Sequence, residues 1–406
     1  MKRDSVLRLS GNKSGSVARE SKTASYDPLL RKAGAQMDGA RTSLLLRSPT
    51  LHKTRRTCSH FEFWPGFVFY APIFLYWAWQ GLLHRSLTVP TIANPSMEYG
   101  GLCGESKVRL FENMNSKGRR WLAPYVSITR GGPNETDHDV RRVLSLAGKE
   151  GLNFPFVAKP DIGCQGAGVR VVRDMPELRG YVEAFPPQEA FLLQQLIDHE
   201  GEAGIFYLRR PGEEIGSIFS LTLKFSPYVR GDGVSSLEQL IRDDPRAGRV
   251  PHLYLPRLRD RLNWIPSRDE KIRLVFVGNH CKGSIFRNGC EFITPALTRR
   301  IDDLAKTIPD FYFGRFDVRF SSLAQLQLGK GFTVIEYNGG GSEATHIWDA
   351  DTPLSAAYRD LFRQVRLLFE FGAANRSNGH KPAPWHQILG AWYREGRLKR
   401  RYPINQ

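Results

Sequence analysis

The sequence has few cysteines for its length, and none of them form a pair at redox or metal-binding spacing. Five cysteines among 406 residues contain no CxxC motif, and an odd number is more consistent with reduced thiols than with a disulfide framework. The ten histidines form neither an HExxH motif nor a His/Cys cluster at zinc spacing. A disulfide-rich secreted scaffold is therefore not expected, a transition-metal site has no support, and a cytoplasmic location is favoured.

The N-terminal segment lacks the apolar stretch of a secretory signal peptide. Residues 1–56 instead hold 13 Lys/Arg against 4 Asp/Glu. Too little apolar surface is present to offset the entropy of ordering, so we expect residues 1–57 to be a disordered basic tail. A transit peptide, or a start at Met37, is the alternative interpretation of this segment.

The net charge of +17 does not extend along the whole chain. Residues 394–406 hold 5 Lys/Arg against 1 Asp/Glu, and residues 57–393 carry a net charge of only +4. Because the excess lies at the two ends, no polyanion groove is expected along the body, and no specific nucleic-acid partner is predicted. Residues 376–406 are interpreted as a basic C-terminal tail.

Long hydrophobic runs are absent except for one, Phe67–Leu83, which is uncharged over 17 residues and contains Pro72. This is the lower limit of length for a membrane-spanning helix. Two interpretations remain open: an aromatic helix that packs on the body, or a helix that contacts a membrane surface. We therefore assign residues 58–150 to an aromatic, helical segment, for which contact with substrate, or peripheral membrane contact through residues 61–85, is the alternative to packing on the body.

The body of the chain alternates short β-rich runs with helical patterns. Examples of the β-rich runs are "FPFVAK", "FSLTLKF", "GRFDVRF" and "FTVIEYN", which are separated by Gly and Pro. Such irregular alternation predicts an α+β (α/β) body, which we place at residues 151–375.

Two of these runs place oxygen ligands on one face of a strand. In "IEYNGGG", successive side chains alternate, so Glu336 and Asn338 share one face, while Ile335 and Tyr337 share the other. The glycines that follow permit a close approach, and a bound ion with a charged ligand is the candidate.

The strand "GRFDVRF" alternates in the same way and has one charged face that carries Asp317 between two arginines. A hairpin with the later strand can place Asp317 beside Glu336 and Asn338. Three hard oxygen donors are what Mg²⁺ prefers when phosphates complete its shell, so the pair of strands predicts a magnesium site. Taken alone, "GRFDVRF" is also typical of a half-exposed edge strand.

A glycine-rich loop follows the strand that ends in Lys159. In "FPFVAKPDIGCQGAGVRVV", the glycines Gly163, Gly166 and Gly168 allow backbone amides to converge on phosphate oxygens, and the lysine supplies a positive charge. The loop is not a Walker A motif, because no GK[ST] follows it, and it differs from protein kinases, in which the glycine loop precedes the lysine. By itself it is also typical of a simple hairpin.

The order of these motifs resembles the ATP-grasp superfamily, particularly the D-alanine-D-alanine ligase and cyanophycin synthetase branches. The succession is the lysine and glycine loop, then "FLLQQLIDHEGE", "LTLKF", "GRFDVRF" and "VIEYN". The resemblance covers roughly Asn153–Asp349, and "VRGDGVSSLEQLI" resembles the cyanophycin synthetase branch. It implies an ATP-grasp body of two α+β subdomains that clasp a nucleotide. The segment before Asn153 does not resemble the substrate domain of D-alanine ligases.

The resemblance also implies a role for each matching residue. The phosphate-binding groups are Lys159, Lys224 and the loop Gly163–Gly168; the adenine hinge is Gln194–Ile197, including Gln195 and Ile197; the ribose acid is Glu202, with Glu200 as the alternative; the Mg²⁺ ligands are Asp317, Glu336 and Asn338; and the catalytic residues that stabilise the transferred phosphoryl group are Arg315 and Lys224.

The resemblance implies an ATP- and Mg²⁺-dependent ligase that joins a small-molecule carboxylate to an amine. The carboxylate attacks the γ-phosphate of ATP, and the amine captures the acylphosphate to form an amide or peptide bond. Two Mg²⁺ ions are expected, with Mn²⁺ as a substitute. Two alternatives are a small-molecule kinase of the same fold and a non-catalytic, membrane-associated nucleotide-binding module. The sequence specifies neither the substrates nor the oligomeric state.

Overall fold

The computed structural model describes residues 58–199, 201–275 and 283–404. The predicted tail at 1–57 and the alternative ribose acid Glu200 lie outside these residues.

The secondary structure mixes helices and strands along the whole of the described chain. The strands are β1 (Tyr125–Thr129), β2 (Phe156–Pro160), β3 (Arg170–Val172), β4 (Ala190–Gln195), β5 (Gly201–Leu208), β6 (Ser217–Phe225), β7 (Tyr228–Arg230), β8 (Lys271–Arg273), β9 (Ile285–Asn288), β10 (Phe313–Phe320) and β11 (Phe332–Asn338). The helices are α1 (Gly66–Leu83), α2 (Lys107–Asn113), α3 (Ser116–Arg119), α4 (Thr136–Lys149), α5 (Met175–Ala184), α6 (Leu237–Asp243), α7 (Pro295–Ala305), α8 (Leu323–Gln327), α9 (Leu354–Ser377) and α10 (Trp385–Lys399).

Two antiparallel sheets organise the described residues. The first sheet has the strand order β1-β4-β2-β3 and the second has the order β11-β10-β5-β6-β9. Every pairing within both sheets is antiparallel. The α+β class and the two subdomains predicted from the sequence are therefore confirmed. A two-stranded ribbon of β7 and β8 packs with α6 around a small core of its own.

The first sheet buries one face against α4 and α5. Val143 of α4 and Leu178 of α5 are fully buried in this core, together with Phe191 of β4. Removing such side chains from water contributes roughly 1.5–3 kcal/mol each. Leu398 and Tyr402, from the C-terminal end of the chain, complete the same core.

The second sheet buries the face that points away from the first sheet, and this face packs against α7 and α8. Its core includes Phe316 and Val318 of β10 together with Ile301 of α7 and Leu326 of α8. The apolar face of "GRFDVRF" is thus fully used in packing. The charged face is left to line the space between the two sheets.

The aromatic helix α1 packs on the long helix α9. The ring of Tyr76 lies 4.8 Å from that of Phe362 on α9. The ring of Phe69 lies 4.7 Å from that of Trp348, which precedes α9. Among the described residues, α1 is the one helix long and apolar enough to cross a membrane by length and composition, and 22% of that window is buried. Most of its side chains therefore face outward.

Two predicted domain limits differ from the structure. The first sheet begins at Tyr125, because β1 pairs with β4, so the α+β body begins before the predicted limit at residue 151. Residues 376–406 are not a simple tail in the part described, because they contain α10 and bury Leu398 and Tyr402. Those apolar side chains stand among many arginines, which obscured the amphipathic pattern.

Candidate active site

A cavity of about 550 Å³ lies between the two sheets. Strands of both sheets line it, with contributions from the segment 101–107 and from the helices α1 and α10. All of the site residues predicted from the sequence lie on this cavity, except Gly168, which lies at the end of the glycine loop.

The strands β10 and β11 bring the predicted metal ligands together. Asp317 lies directly opposite Glu336, and Arg315 lies opposite Asn338. All four side chains line the cavity. The two strands are joined through α8 rather than by a tight hairpin turn.

One part of the predicted alternation on β11 is wrong. The pairing shifts between Asp317 and Val318, so that the partner changes from Glu336 to Val334, and Ile335 becomes an extra residue. Such a β-bulge re-aims side chains locally. Ile335 therefore lines the cavity beside Glu336, while Tyr337 is buried in the core as predicted.

Asp317 is held between two cations. Its Oδ1 lies 2.9 Å from Nζ of Lys224 and 2.8 Å from Nε of Arg315. Burial by itself would raise the pKa of Asp317, but the Arg315 guanidinium and the Lys224 ammonium outweigh it and lower the pKa to about 2. Gly204 lies opposite on β5, where an added Cβ would lie 3.2 Å from Oδ1 of Asp317. With its pKa lowered to about 2, the carboxylate of Asp317 is ionised at neutral pH.

Lys159 faces this cluster from the first sheet. It is buried, and its Nζ donates to Oε1 of Gln194 at 2.7 Å and to the carbonyl oxygen of Ile335 at 3.3 Å. The second bond reaches across to the bulge on β11. Burial lowers the pKa of Lys159, because desolvation disfavours the ammonium form. An anionic ligand in the cavity would stabilise that ammonium.

Glu202 takes part in an ion-pair network on the second sheet. Its Oε2 lies 3.2 Å from Nη2 of Arg319, and its Oε1 lies 3.6 Å from Nζ of Lys224. Both of these cations belong to strands that flank Glu202 in the sheet. The ribose role implied by the resemblance would require this carboxylate to share its oxygens with a ligand.

The glycine loop connects β2 to β3 over the cavity. Gly166 has φ +67° and Gly168 has φ +69°, values that favour glycine. The loop does not stand alone, because Tyr402 Oη donates to the carbonyl oxygen of Ile162 at 2.7 Å and Lys399 Nζ lies 3.4 Å from Oε1 of Gln165. The C-terminal helix thus covers the outer side of the loop.

The predicted adenine hinge joins the two sheets. Gln195 ends β4, and Ile197 lies in the linker that leads to β5. The backbone N–H of Gln195 donates to the carbonyl oxygen of Pro124 at 2.8 Å. The N–H of Gln195 is therefore engaged with the segment before β1, and Leu196 and Ile197 line the cavity next to it.

Lys107 lines the cavity, and the sequence allows two interpretations of it: a group that binds a substrate carboxylate or phosphate, or a residue of a capped helix. It is buried at the start of α2, and its Nζ donates to the carbonyl oxygens of Gly163 at 2.7 Å and Asp161 at 3.3 Å. Ser106 caps this helix by accepting from the backbone N–H of Arg109. The capped helix is therefore present, and Lys107 at its start also lies on the cavity.

The glycines after β11 make the close approach that the sequence predicts, and the group they approach is the backbone of another glycine segment. The N–H of Gly340 donates to the carbonyl oxygen of Gly100 at 2.9 Å. A Cβ on Gly339 would lie 2.9 Å from Cα of Gly101. Two glycine segments thus approach each other more closely than side chains would allow, and they hold the segment 101–107 against the cavity.

Glu105 is a partly buried carboxyl group on the same wall of the cavity. Its Oε1 accepts from the backbone N–H of Gly339 at 3.4 Å. Burial, the largest cause, raises the pKa of Glu105 to about 8. In the folded protein this group therefore keeps its proton well above the usual range of a carboxyl group, which is about 4.3 for glutamate.

Replacing Glu105 with Gln is expected to change how stability depends on pH. The pKa of Glu105 is about 4.3 in the unfolded chain and about 8 in the folded chain. Between these two pH values the folded state binds more protons than the unfolded state, so the free energy of unfolding falls as pH rises. The Glu105→Gln variant should lose that fall, as measured by urea unfolding at several pH values. The exposed Glu112→Gln on α2 is the control, and an unchanged pH dependence in Glu105→Gln would contradict the prediction.

The donor chemistry fits a hard divalent cation that phosphates help to bind. In the described part of the chain, no group of three or more His, Cys, Asp and Glu is arranged to hold a metal. Asp317 and Glu336 with the Asn338 amide supply oxygen donors on one face, next to the cations Lys224 and Arg315. Such a partial set suits Mg²⁺ carried by a nucleotide rather than by an all-protein cage.

Comparisons with known proteins give matches among solved structures alone. No protein-family model matches this chain, and no curated protein matches it. The D-alanine-D-alanine ligase from Bacillus anthracis is 14% identical, with 70% of this chain and 72% of that chain covered and a TM-score of 0.40.

Two further solved structures have similar scores. A bifunctional glutathione synthetase from Pasteurella multocida is 17% identical, with 64% of this chain covered and a TM-score of 0.33, and the match spans 36% of the length of that protein. N5-carboxyaminoimidazole ribonucleotide synthetase, solved with ADP, is 12% identical, with coverages of 62% and 48% and a TM-score of 0.34.

Proposed function

We propose that this protein is an ATP- and Mg²⁺-dependent ligase that joins a small-molecule carboxylate to an amine through an acylphosphate. The observation that carries the proposal is the convergence of Lys159 with Lys224, Arg315, Asp317 and Glu336 on one cavity between two sheets. A triphosphate bound there would meet cations from both sheets. The same cavity offers oxygen donors for the accompanying metal.

The cations of the cavity are placed to neutralise charge on a transferred phosphoryl group. Lys159 enters from the first sheet, whereas Lys224 and Arg315 enter from the second. Phosphoryl transfer depends mainly on positioning and on electrostatic stabilisation of the transition state. Fixed cations in a site of low dielectric contribute most of that electrostatic stabilisation. No Ser or Cys nucleophile is required for this chemistry.

Asp317, Glu336 and Asn338 would hold the magnesium, which supplies charge neutralisation and orientation of the phosphate oxygens when bound. Asp317 is ionised because Arg315 and Lys224 stabilise its carboxylate. Arg315 is fixed as well, since its Nη1 donates to the carbonyl oxygen of Glu343 at 2.9 Å. These residues are therefore held in place before any ligand arrives, which is what electrostatic catalysis needs.

The glycine loop would close over the phosphates and exclude water from the reaction. Its anchor points are Lys107, which holds the carbonyl oxygen of Gly163, and the C-terminal residues Lys399 and Tyr402. Water exclusion protects an acylphosphate from hydrolysis, so that the amine captures it. The cytoplasmic location and the carboxylate and amine partners remain predictions of this proposal.

The proposal is tested by measuring ADP release from Mg·ATP over a panel of amino acids, dipeptides and other carboxylic acids, with products identified by mass spectrometry. A hydroxamate formed when hydroxylamine replaces the amine would support an acylphosphate. A stable phosphoester product would instead favour a small-molecule kinase. Nucleotide binding without ADP release for the whole panel would contradict both activities.

A further inference from the structure

The helix α1 carries an unusual number of exposed apolar side chains. Exposed fractions of 55–78% are found for Phe67, Phe74, Leu75, Trp79, Leu82 and Leu83. The helix contains no charged residue, and Ala71 and Ala78 extend the same outward face. An apolar surface of this size on a protein typically marks an interaction site.

The C-terminal helix α10 has a second exposed apolar face. Trp385, Leu389, Trp392 and Tyr393 are 51–75% exposed. Their spacing of three, four and eight residues places them on one side of a helix. The opposite side is buried through Glu395 and Leu398, so the helix is amphipathic, with its aromatic face turned outward.

Both helices contribute to the lining of the active-site cavity. Tyr70 of α1 lies within one helical turn of Phe67 and Phe74, and it lines the cavity. Trp392 of α10 also lines the cavity and is itself 69% exposed. One aromatic side chain of each helix thus lies on the same cavity.

Basic residues lie beside the exposed face of α10, and the sequence before α1 is rich in them. The exposed residues Arg394, Arg397 and Arg400 lie on or just after α10, although Arg394 also lies 3.4 Å from Glu189. Residues 1–56, which lead directly into the segment before α1, hold 13 Lys/Arg against 4 Asp/Glu. Basic residues near an anionic membrane surface are attracted to it.

We propose that α1 and α10 form a docking surface for an anionic lipid bilayer, with the cavity opening at the membrane surface. Exposed Trp and Tyr side chains beside arginines match the interfacial region of a bilayer, where aromatic rings and basic groups both find partners. In this arrangement the uncharged helix α1 inserts its exposed apolar side chains into the bilayer, and the amphipathic helix α10 lies at the edge of the contact.

A lipid surface fits these features better than a second copy of the chain. A symmetric dimer built on the same faces would bring the arginines at the end of α10 in the two copies toward each other, because an isologous interface pairs the same patch with itself. Juxtaposed like charges oppose association. An anionic bilayer instead complements both the apolar faces and the flanking positive charge.

The test is co-sedimentation of the full chain with vesicles of phosphatidylcholine mixed with phosphatidylglycerol, compared with vesicles of phosphatidylcholine alone. We expect binding to the anionic vesicles that weakens with added salt. The variant Phe74→Gln/Leu75→Gln/Trp385→Gln/Leu389→Gln should lower the partition constant at least about tenfold, which corresponds to about 1.4 kcal/mol. None of these four residues lines the cavity.

A matched control replaces four other exposed apolar residues with Gln, namely Ile215, Val234, Ile265 and Leu328. This control should bind vesicles as the unaltered chain does. Three results would overturn the proposal: no co-sedimentation of the full chain, equal binding of the α1/α10 variant, or equal binding to the uncharged vesicles. A dimer in analytical ultracentrifugation that the α1/α10 variant dissociates, without vesicle binding, would assign the faces to self-association.

Discussion

Replacing Glu336 with Gln is expected to lower Mg²⁺-dependent ADP formation by at least about 10³-fold. The substitution keeps the shape of the side chain but removes one negative charge opposite Asp317, where the two strands pair. Without it, the oxygen donors would hold a divalent cation with one carboxylate in place of two. The remaining site cations would then face a poorly positioned triphosphate.

The measurement is steady-state ADP release at varied Mg²⁺ with an active substrate pair. Folding should be retained, because the ion pairs to Asp317 come from Lys224 and Arg315 and do not involve Glu336. The exposed Glu183→Gln on α5 is the matched control and should leave turnover unchanged. Full activity in Glu336→Gln would show that the metal assignment is wrong.

Replacing Lys159 with Met is expected to reduce kcat/KM for ATP by at least about 100-fold. Its ammonium is the cation that the first sheet directs toward Ile335 of β11, so its loss would weaken the grip on the triphosphate from that side. Stability should change little. Burial already disfavours the charged amine of Lys159. Removing that buried charge therefore stabilises the fold, and this gain offsets the loss of the hydrogen bond to Gln194.

Nucleotide affinity and thermal unfolding, measured side by side, test this prediction. Met fills a similar volume and carries no charge, so a loss of affinity with a nearly unchanged Tm would assign Lys159 to ligand binding. The exposed Lys330→Met provides the control for loss of one positive charge. A Lys159→Met protein that binds Mg·ATP as tightly as the unaltered chain would contradict the phosphate-binding role.

Local patterns in the sequence were sufficient to predict much of the site. The alternation in "GRFDVRF" correctly separated the buried Phe316 and Val318 from Asp317 on the charged face. The pairing of Asp317 with Glu336 followed from two strands of the same sheet. These features depend on neighbours along the chain, whose geometry is fixed by the two-residue repeat of a strand.

Contacts between distant parts of the chain had to come from the tertiary structure. Lys107 meets Gly163 56 residues later, and Gly104 donates to Glu395 of α10 at 2.9 Å across 291 residues. No local period records such partners, so the C-terminal residues were interpreted as a tail.

The sequence by itself therefore determined the α+β class, the strands and the side chains that share a face, because these follow from local periodicity. The tertiary structure alone decided that Ile335 turns into the cavity, that the glycines after Asn338 pack on the backbone of Gly100 and Gly101, and that the helix α10 covers the glycine loop. The physical reason is that a bulge, a close backbone approach and a helix packed on a loop depend on which distant surfaces meet, and the chain encodes that only through the fold as a whole.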